Sequence, residues 1–113
     1  MKEYIFNFEN INYKILIGSN SRNYWELLDN ANPNDVLFHL DQYSSSYIIL
    51  LNNNFSINEI PRQIIKRCAC LCKSHSSSKS LTKITIKYAS IKYCYKGRKE
   101  GELYMNNTRS III

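Results

Sequence analysis

The chain reads as a single α+β domain, a curved antiparallel sheet with two main helices packed on it. Three observations predict this. Strand-length apolar runs recur along the 113 residues. Two stretches carry apolar residues at helical spacing instead. The order that results, ββαββαβββ with a last short strand, keeps neither strict strand–helix alternation nor a pure β pattern. A chain of this length holds one core and has no room for two.

The elements follow in order. Residues 3–8, Glu-Tyr-Ile-Phe-Asn-Phe, alternate as a strand, Glu9-Asn10 turns, and Tyr13–Ile17 returns, so the chain opens with a hairpin. Gly18–Asn23 is a turn-rich loop with capping residues. A helix over Ser21–Asn30 turns Trp25, Leu28 and Leu27 inward. Pro33 disfavours helix at Asn32 and ends it. Two apolar runs then form a central hairpin: Val36–Leu40 and Tyr47–Leu51, with Asp41–Ser46 as the loop. The second run is apolar on both alternating faces, which predicts a strand covered on both sides. Asn52-Asn53-Asn54 is a loop.

Ile60–Lys73 is the clearest helix, with Pro61 as its first helical residue. Ile60, Ile64, Cys68, Leu71 and Cys72 share one side and Ile65 borders it. Arg62, Lys66, Ala69 and Lys73 share the other as a basic stripe. After the polar loop Ser74–Ser80, Leu81–Tyr88 alternates as a strand. Ile91–Tyr95 is extended, Lys96–Gly101 is a basic turn, and Leu103–Met105 and Ser110–Ile113 close the chain as short strands.

Composition narrows the function. Apolar content is 44% and charged content 21%, as in an ordinary globular chain. No apolar run approaches the roughly 18 residues of a membrane helix, and the opening lacks a leader pattern. The expectation is a cytoplasmic protein with no membrane insertion. Asn, Ile, Lys and Tyr supply 49 residues. Their codons are A/T-rich, which suggests an A/T-rich genome such as that of a large DNA virus or a protist; for a virus the site is the host cytoplasm. Net charge is +6, unevenly spread. Residues 1–59 carry three basic and seven acidic side chains, residues 60–113 twelve and two. This predicts one basic surface fed by the C-terminal half, with phosphates as its natural partners.

The side chains that would form this surface are named by their pattern. Arg62, Lys66 and Lys73 lie on one helical face, one or two turns apart. Lys96, Arg98 and Lys99 sit in a glycine-bounded turn where backbone can approach a phosphate. Arg22 lies in the first loop, and Lys79 and Lys83 flank the serine loop. Tyr93 and Tyr95 interleave with Lys92, an arrangement suited to base stacking beside phosphate neutralisation. His39, with Ser45 and Ser46 of the hairpin loop, is a candidate ligand contact; the alternative is a structural histidine tied to the turn or to a backbone carbonyl.

Cys68-x-Cys70-x-Cys72 invites a metal, but on a helix only Cys68 and Cys72 share a face, and the spacing is not that of a zinc knuckle. Cys94 and His75 would have to complete such a site. The expectation is no metal and no cofactor. Nor is there a phosphate-binding glycine loop, a nucleophile elbow or a His-Glu-x-x-His motif, so no catalytic residue is expected.

Five stretches in order resemble the NFACT RNA-binding (NFACT-R) domain family: Gly18-x-Asn20-x-Arg22-Asn23; Asp35-x-x-Phe38-His39; the serine turn with its apolar strand; the basic helix; and Gly97-x-x-x-Gly101-x-Leu103-Tyr104. The resemblance spans about Ile15 to Ile113. It is strongest to small stand-alone eukaryotic or viral members, through Ser44-Ser-Ser-Tyr-Ile and Ile57–Pro61. Three positions depart from the family pattern: Leu37 replaces its Trp, Ser45-Ser46-Tyr47 its Gly-Ser-His, and Tyr24-Trp25 its polar pair. The resemblance implies nucleic-acid binding without catalysis. RNA is the first candidate (tRNA or rRNA, with a link to ribosome-associated quality control) and DNA the second. The alternative is an adaptor module that docks on ribosome-associated proteins without touching nucleic acid. The sequence leaves the oligomeric state open.

Overall fold

The computed structural model describes residues 1–43, 45–52 and 56–113. It contains two helices and eight strands: β1 (Lys2–Phe8), β2 (Ile11–Ile17), α1 (Ser21–Asn30), β3 (Val36–Leu40), β4 (Ile48–Leu50), α2 (Arg62–Ser74), β5 (Thr85–Ser90), β6 (Cys94–Lys96), β7 (Leu103–Met105) and β8 (Arg109–Ile112). Single 3-10 turns lie at Ile57–Glu59 and Ile91–Tyr93. Six strands form one antiparallel sheet in the order β1-β2-β4-β3-β5-β8, and β6 and β7 form a separate hairpin. No helix among the described residues is long and apolar enough to cross a membrane.

The opening hairpin turns on Glu9 and Asn10, both at positive φ (49° and 64°), the two-residue geometry that matches strand twist. The predicted helix over Ser21–Asn30 is α1 to the residue. Asn20 caps it by accepting a hydrogen bond from the Asn23 amide at 3.0 Å, worth about 1 kcal/mol.

The hairpin of β3 and β4 is the buried middle of the sheet, as its two-faced apolar pattern predicts. Alternation divides it between two cores. Val36, Phe38, Leu40, Ile48 and Leu50 pack with Ile15, Ile17 and the inner face of α2. Leu37 and Ile49 point the other way, onto Leu27, Ile91 and Leu103. The sheet therefore lies between α2 on one side and α1 with the β6–β7 hairpin on the other. Each fully buried Ile or Phe contributes roughly 1.5–3 kcal/mol, so both layers are needed to hold β4 in register. Asp35 fixes the base of β3: its carboxylate accepts from the amides of Asn32 and Asn52, each at 2.8 Å.

Three local expectations are corrected. Pro61 is not the first helical residue. With ψ at 138° it is the N-cap, and its carbonyl accepts from Ile64 and Ile65. Ala69 is not on the basic stripe but fully buried. It sits at the stripe's margin, where a small side chain lets α2 close onto the sheet. The predicted strand Leu81–Tyr88 begins only at Thr85. Lys83 has φ +56°, which breaks the extended path, and β3 ends opposite Ile86. The Ser44 part of the central loop and residues 53–54 of the asparagine loop lie outside the described residues.

Candidate nucleic-acid interface

At the end of the sheet where β2 ends and β4 begins, four separate sequence stretches meet. The Gly18 amide donates to the Tyr47 carbonyl at 3.1 Å. A Cβ on Gly18 would lie 2.6 Å from the Tyr24 ring, so only glycine allows the first loop to close on α1. The Tyr24 ring meets Tyr47 edge-on at 4.9 Å, and Tyr47 stacks on His39 at 4.2 Å. The β6–β7 turn packs on the start of α1. Gly101, at φ +88°, sits where a Cβ would lie 2.6 Å from Ser21 Cβ. The Glu102 carbonyl accepts from both Gly97 N (2.7 Å) and Trp25 Nε1 (3.0 Å). The Glu102 carboxylate accepts from the Tyr104 hydroxyl (2.5 Å) and from the Arg98 amide (3.2 Å). These bonds hold its carboxyl below the usual range, the Tyr104 contact foremost.

His39 has a structural setting. Its Nδ1 lies 2.7 Å from the Leu40 carbonyl, the contact that fixes the ring tautomer. Burial lowers its pKa, partly opposed by that carbonyl, so the ring is neutral at pH 7. Ser45 Oγ accepts from the Leu40 amide at 3.2 Å and donates to the Ser46 carbonyl at 3.1 Å. It also lies 3.6 Å from Cys72 Sγ, and Ser45 bridges to Ser76. Ser45 and Ser46 thus tie the central loop to the C-terminal end of α2, while His39 packs on Tyr47 on the other side of the strand.

These ties place several cations at one end of the molecule. Arg22 projects from the first turn of α1, with Glu26 at 3.4 Å as an exposed partner. Arg98 and Lys99 occupy the turn that packs on Ser21, both exposed. Lys73 lies in the last turn of α2, its Nζ 3.5 Å from the Ile113 carbonyl. Lys79 follows in the loop after Ser76. Lys83 precedes β5, whose first residue accepts from the Asp41 amide. Lys96 lies apart on the β6–β7 hairpin, bonded to Asp29 at 2.7 Å with its ammonium 5.2 Å from the centre of the Trp25 ring. Tyr95 and Tyr104 form an exposed pair on that hairpin, 5.4 Å apart.

The remaining predicted residues are not brought here. Arg62 and Lys66 lie on the outer face of α2, across the sheet from the β6–β7 hairpin, and Arg62 is at the far end of that helix. Tyr93 is at the opposite end of the sheet, beyond Ser90. The single basic surface expected from the charge count is therefore divided, because α2 and the basic turn cover opposite faces of one sheet. Cys94 packs in the α1-side core while Cys68 and Cys72 are buried under α2. The sheet thus separates them, and burial raises the pKa of all three thiols, to about 11 for Cys72 and Cys94.

Sequence reasoning missed Arg67 and Arg109, and it named Lys92 only as a neighbour of Tyr93 and Tyr95. Arg67 lies on the outer face of α2 with its guanidinium 4.8 Å from the centre of the Phe6 ring. Lys92 and Arg109 line a groove at the Ser90 end. The charge runs did contain these residues, but no one-dimensional pattern joins Arg109 to Tyr93.

Comparisons with known proteins agree with this architecture. The family model described as NFACT protein RNA binding domain matches residues 2–108, so it includes the opening hairpin as well as the stretch from Ile15. Coiled-coil domain-containing protein 25 from Bos taurus is 32% identical over 65 residues, which are 57% of this chain and 31% of the relative. The same protein from Mus musculus matches to the same extent. The match thus spans less than a third of these relatives' length. Among solved structures, the C-terminal of the fibronectin/fibrinogen-binding protein from Streptococcus suis superimposes with a TM-score of 0.83 at 17% identity, over 100% of this chain and 45% of that one. That likeness is one of fold. With its length matched almost throughout by the family model, the chain belongs to the NFACT protein RNA binding domain family.

Proposed function

We propose that the domain binds structured RNA, of the tRNA or rRNA type, through the end of the sheet where the Gly18 loop, Tyr47 and the Gly97–Gly101 turn meet. One observation carries this reading. Direct contacts between the Gly18 loop, Tyr47 and the Gly97–Gly101 turn set Arg22, Arg98 and Lys99 around the start of α1. Lys73, Lys79 and Lys83 continue the cationic rim past the central loop. Their ammonium and guanidinium groups neutralise backbone phosphates, and the tied turn holds them in place before binding. Tyr95 and Tyr104 offer aromatic faces beside the turn. In this reading His39 holds the loop and the domain acts as a binder. Such a domain fits a cytoplasmic, ribosome-linked setting, with DNA as the weaker candidate.

The test is titration of labelled tRNA against wild type and two charge-reversal variants. Arg22→Glu/Arg98→Glu/Lys99→Glu removes binding in this account, whereas Arg62→Glu/Lys66→Glu reduces it to a smaller extent. Equal binding by the first variant and wild type sinks the proposal. So does the absence of wild-type binding at low salt, which would leave the adaptor reading standing.

A further inference from the structure

We propose that a second site, at the opposite end of the sheet, takes one nucleotide of a single-stranded RNA segment, with its base on Tyr93 and its phosphate on Arg109. This rests on the reading that the domain binds RNA and adds to it a different surface and a preference for unpaired strand.

The site is a groove of about 560 Å³ between the Ile57–Glu59 turn, the Ile91–Tyr93 turn and the start of β8. That volume lies within the roughly 300–1,000 Å³ of small-ligand pockets, and its lining is polar. Tyr93 is 39% exposed within it, and Lys92 lies over the ring with Nζ 5.4 Å from its centre. A tyrosine in this position presents a flat face and a neighbouring cation, the pairing on which unpaired bases stack. Asn34, Asn58 and Asn107 also line the groove. No side-chain hydrogen bond occupies these three carboxamides among the described residues, so each keeps both donors and its acceptor for a base edge.

Arg109 supplies the phosphate contact. It stands opposite Tyr88 in the β5–β8 ladder, and it has no ion-pair partner among the described residues. Glu59, the carboxylate of the lining, is engaged in the capping box, where its Oε1 accepts from the Ser56 amide at 3.0 Å. The groove continues past Arg109 into a second depression lined by Arg62 and Tyr88, where the next phosphate of a strand would find a second guanidinium.

The platform is held in advance. The Ile91 amide donates to the Asp35 carbonyl (2.8 Å), the Lys92 amide to Pro33 (3.1 Å) and the Asn106 amide to Tyr93 (2.9 Å). A rigid stacking face loses little conformational freedom on binding. Asparagine is abundant throughout this chain, so one such residue at a surface means little. The convergence of three of them with a fixed aromatic ring and two cations is a property of the fold. A duplex cannot use it, because its bases are already stacked and paired.

The experiment measures anisotropy of a short unstructured RNA and of a blunt RNA duplex of the same sequence. Tyr93→Ala weakens the single strand about tenfold, the effect of one lost base stack, and leaves the duplex unchanged. Tyr93→Phe retains wild-type affinity. Arg109→Gln weakens the single strand and lowers its salt slope by about one. This variant also answers the question independently if Tyr93→Ala fails to fold. Wild-type affinity for the single strand in both variants overturns the site, as does an equal loss for single strand and duplex. If wild type binds tRNA while these variants bind single strands normally, only the second site falls. If wild type binds no RNA of any kind, the family-site reading falls with it.

Discussion

Replacing Gly101 by alanine tests whether the basic turn is built onto α1 as the structure has it. At φ +88° an alanine is strained by roughly 1–2 kcal/mol. Its Cβ would also lie 2.6 Å from the β-carbon of Ser21 and 2.7 Å from the α-carbon. Carbon atoms that touch prefer about 3.5–4.0 Å, so the turn and helix must part by about 1 Å. Overpacking of this kind costs about 1–3 kcal/mol. Together the two effects give roughly 2–5 kcal/mol, a fall in melting temperature on the order of 10 °C or more for a domain of this size. Thermal unfolding by circular dichroism reads this directly. A Ser21→Gly change in the same chain removes Cβ and Oγ and restores part of the loss; the backbone strain and the clash with the residue 21 main chain remain. Below its melting range the Gly101→Ala protein also binds tRNA more weakly, because Arg98 and Lys99 shift away from Arg22. A variant that melts within about 0.5 kcal/mol of wild type would refute the packing of the turn against Ser21.

Further outcomes follow from the same geometry. Phe38→Ala empties the middle of the α2-side core, where the ring is fully buried and stacked on Tyr88 at 5.2 Å, and costs about 3–5 kcal/mol by denaturant unfolding. His39 has a lowered pKa in the fold, so the native state holds its proton less tightly than the unfolded chain does. Its neutral form contributes stability above the unfolded value of about 6.5, and that contribution is lost as pH falls through the lower folded value. Melting temperature therefore drops between pH 7 and 5, and it drops less in His39→Gln. Under native conditions a thiol reagent modifies Cys70 first, because Cys70 is exposed while Cys68 and Cys72 are buried with raised pKa values; mass spectrometry of the labelled peptides shows the order.

Much of the fold was legible in local pattern. Asn20 and the apolar spacing of Trp25, Leu27 and Leu28 define α1, and the two-faced run Ile48–Leu50 marks the middle of the sheet, because burial on both sides leaves no room for polar residues. Leu81–Lys83 misled because alternation alone does not make a strand: Lys83 at φ +56° breaks the extended path, and the backbone pairing with the chain end reaches back only to Ile84, which exchanges two hydrogen bonds with Ile113. Ala69 misled because its position borders both helix faces, and its fate was set by how closely α2 approaches the sheet. The candidate site was legible as motifs but not as an arrangement. Nothing in one dimension shows Gly101 meeting Ser21, or Tyr47 filling the space between His39 and Tyr24. The charge count foresaw a basic C-terminal half but not that the sheet would split it. Arg109 and Tyr93 come together only through the β5–β8 pairing and the turn pinned on Asp35.

The claim at the centre of this account is that Arg22, Arg98 and Lys99 hold RNA phosphates together. The salt dependence of tRNA affinity tests it most directly. Each phosphate contact contributes about 0.7–0.9 to the slope of log affinity against log salt, so neutralising the three side chains to glutamine lowers the slope by roughly two to three. The account predicts that fall, with a smaller one for Arg62→Gln/Lys66→Gln. An unchanged slope in the triple variant, with the fold intact, would contradict it.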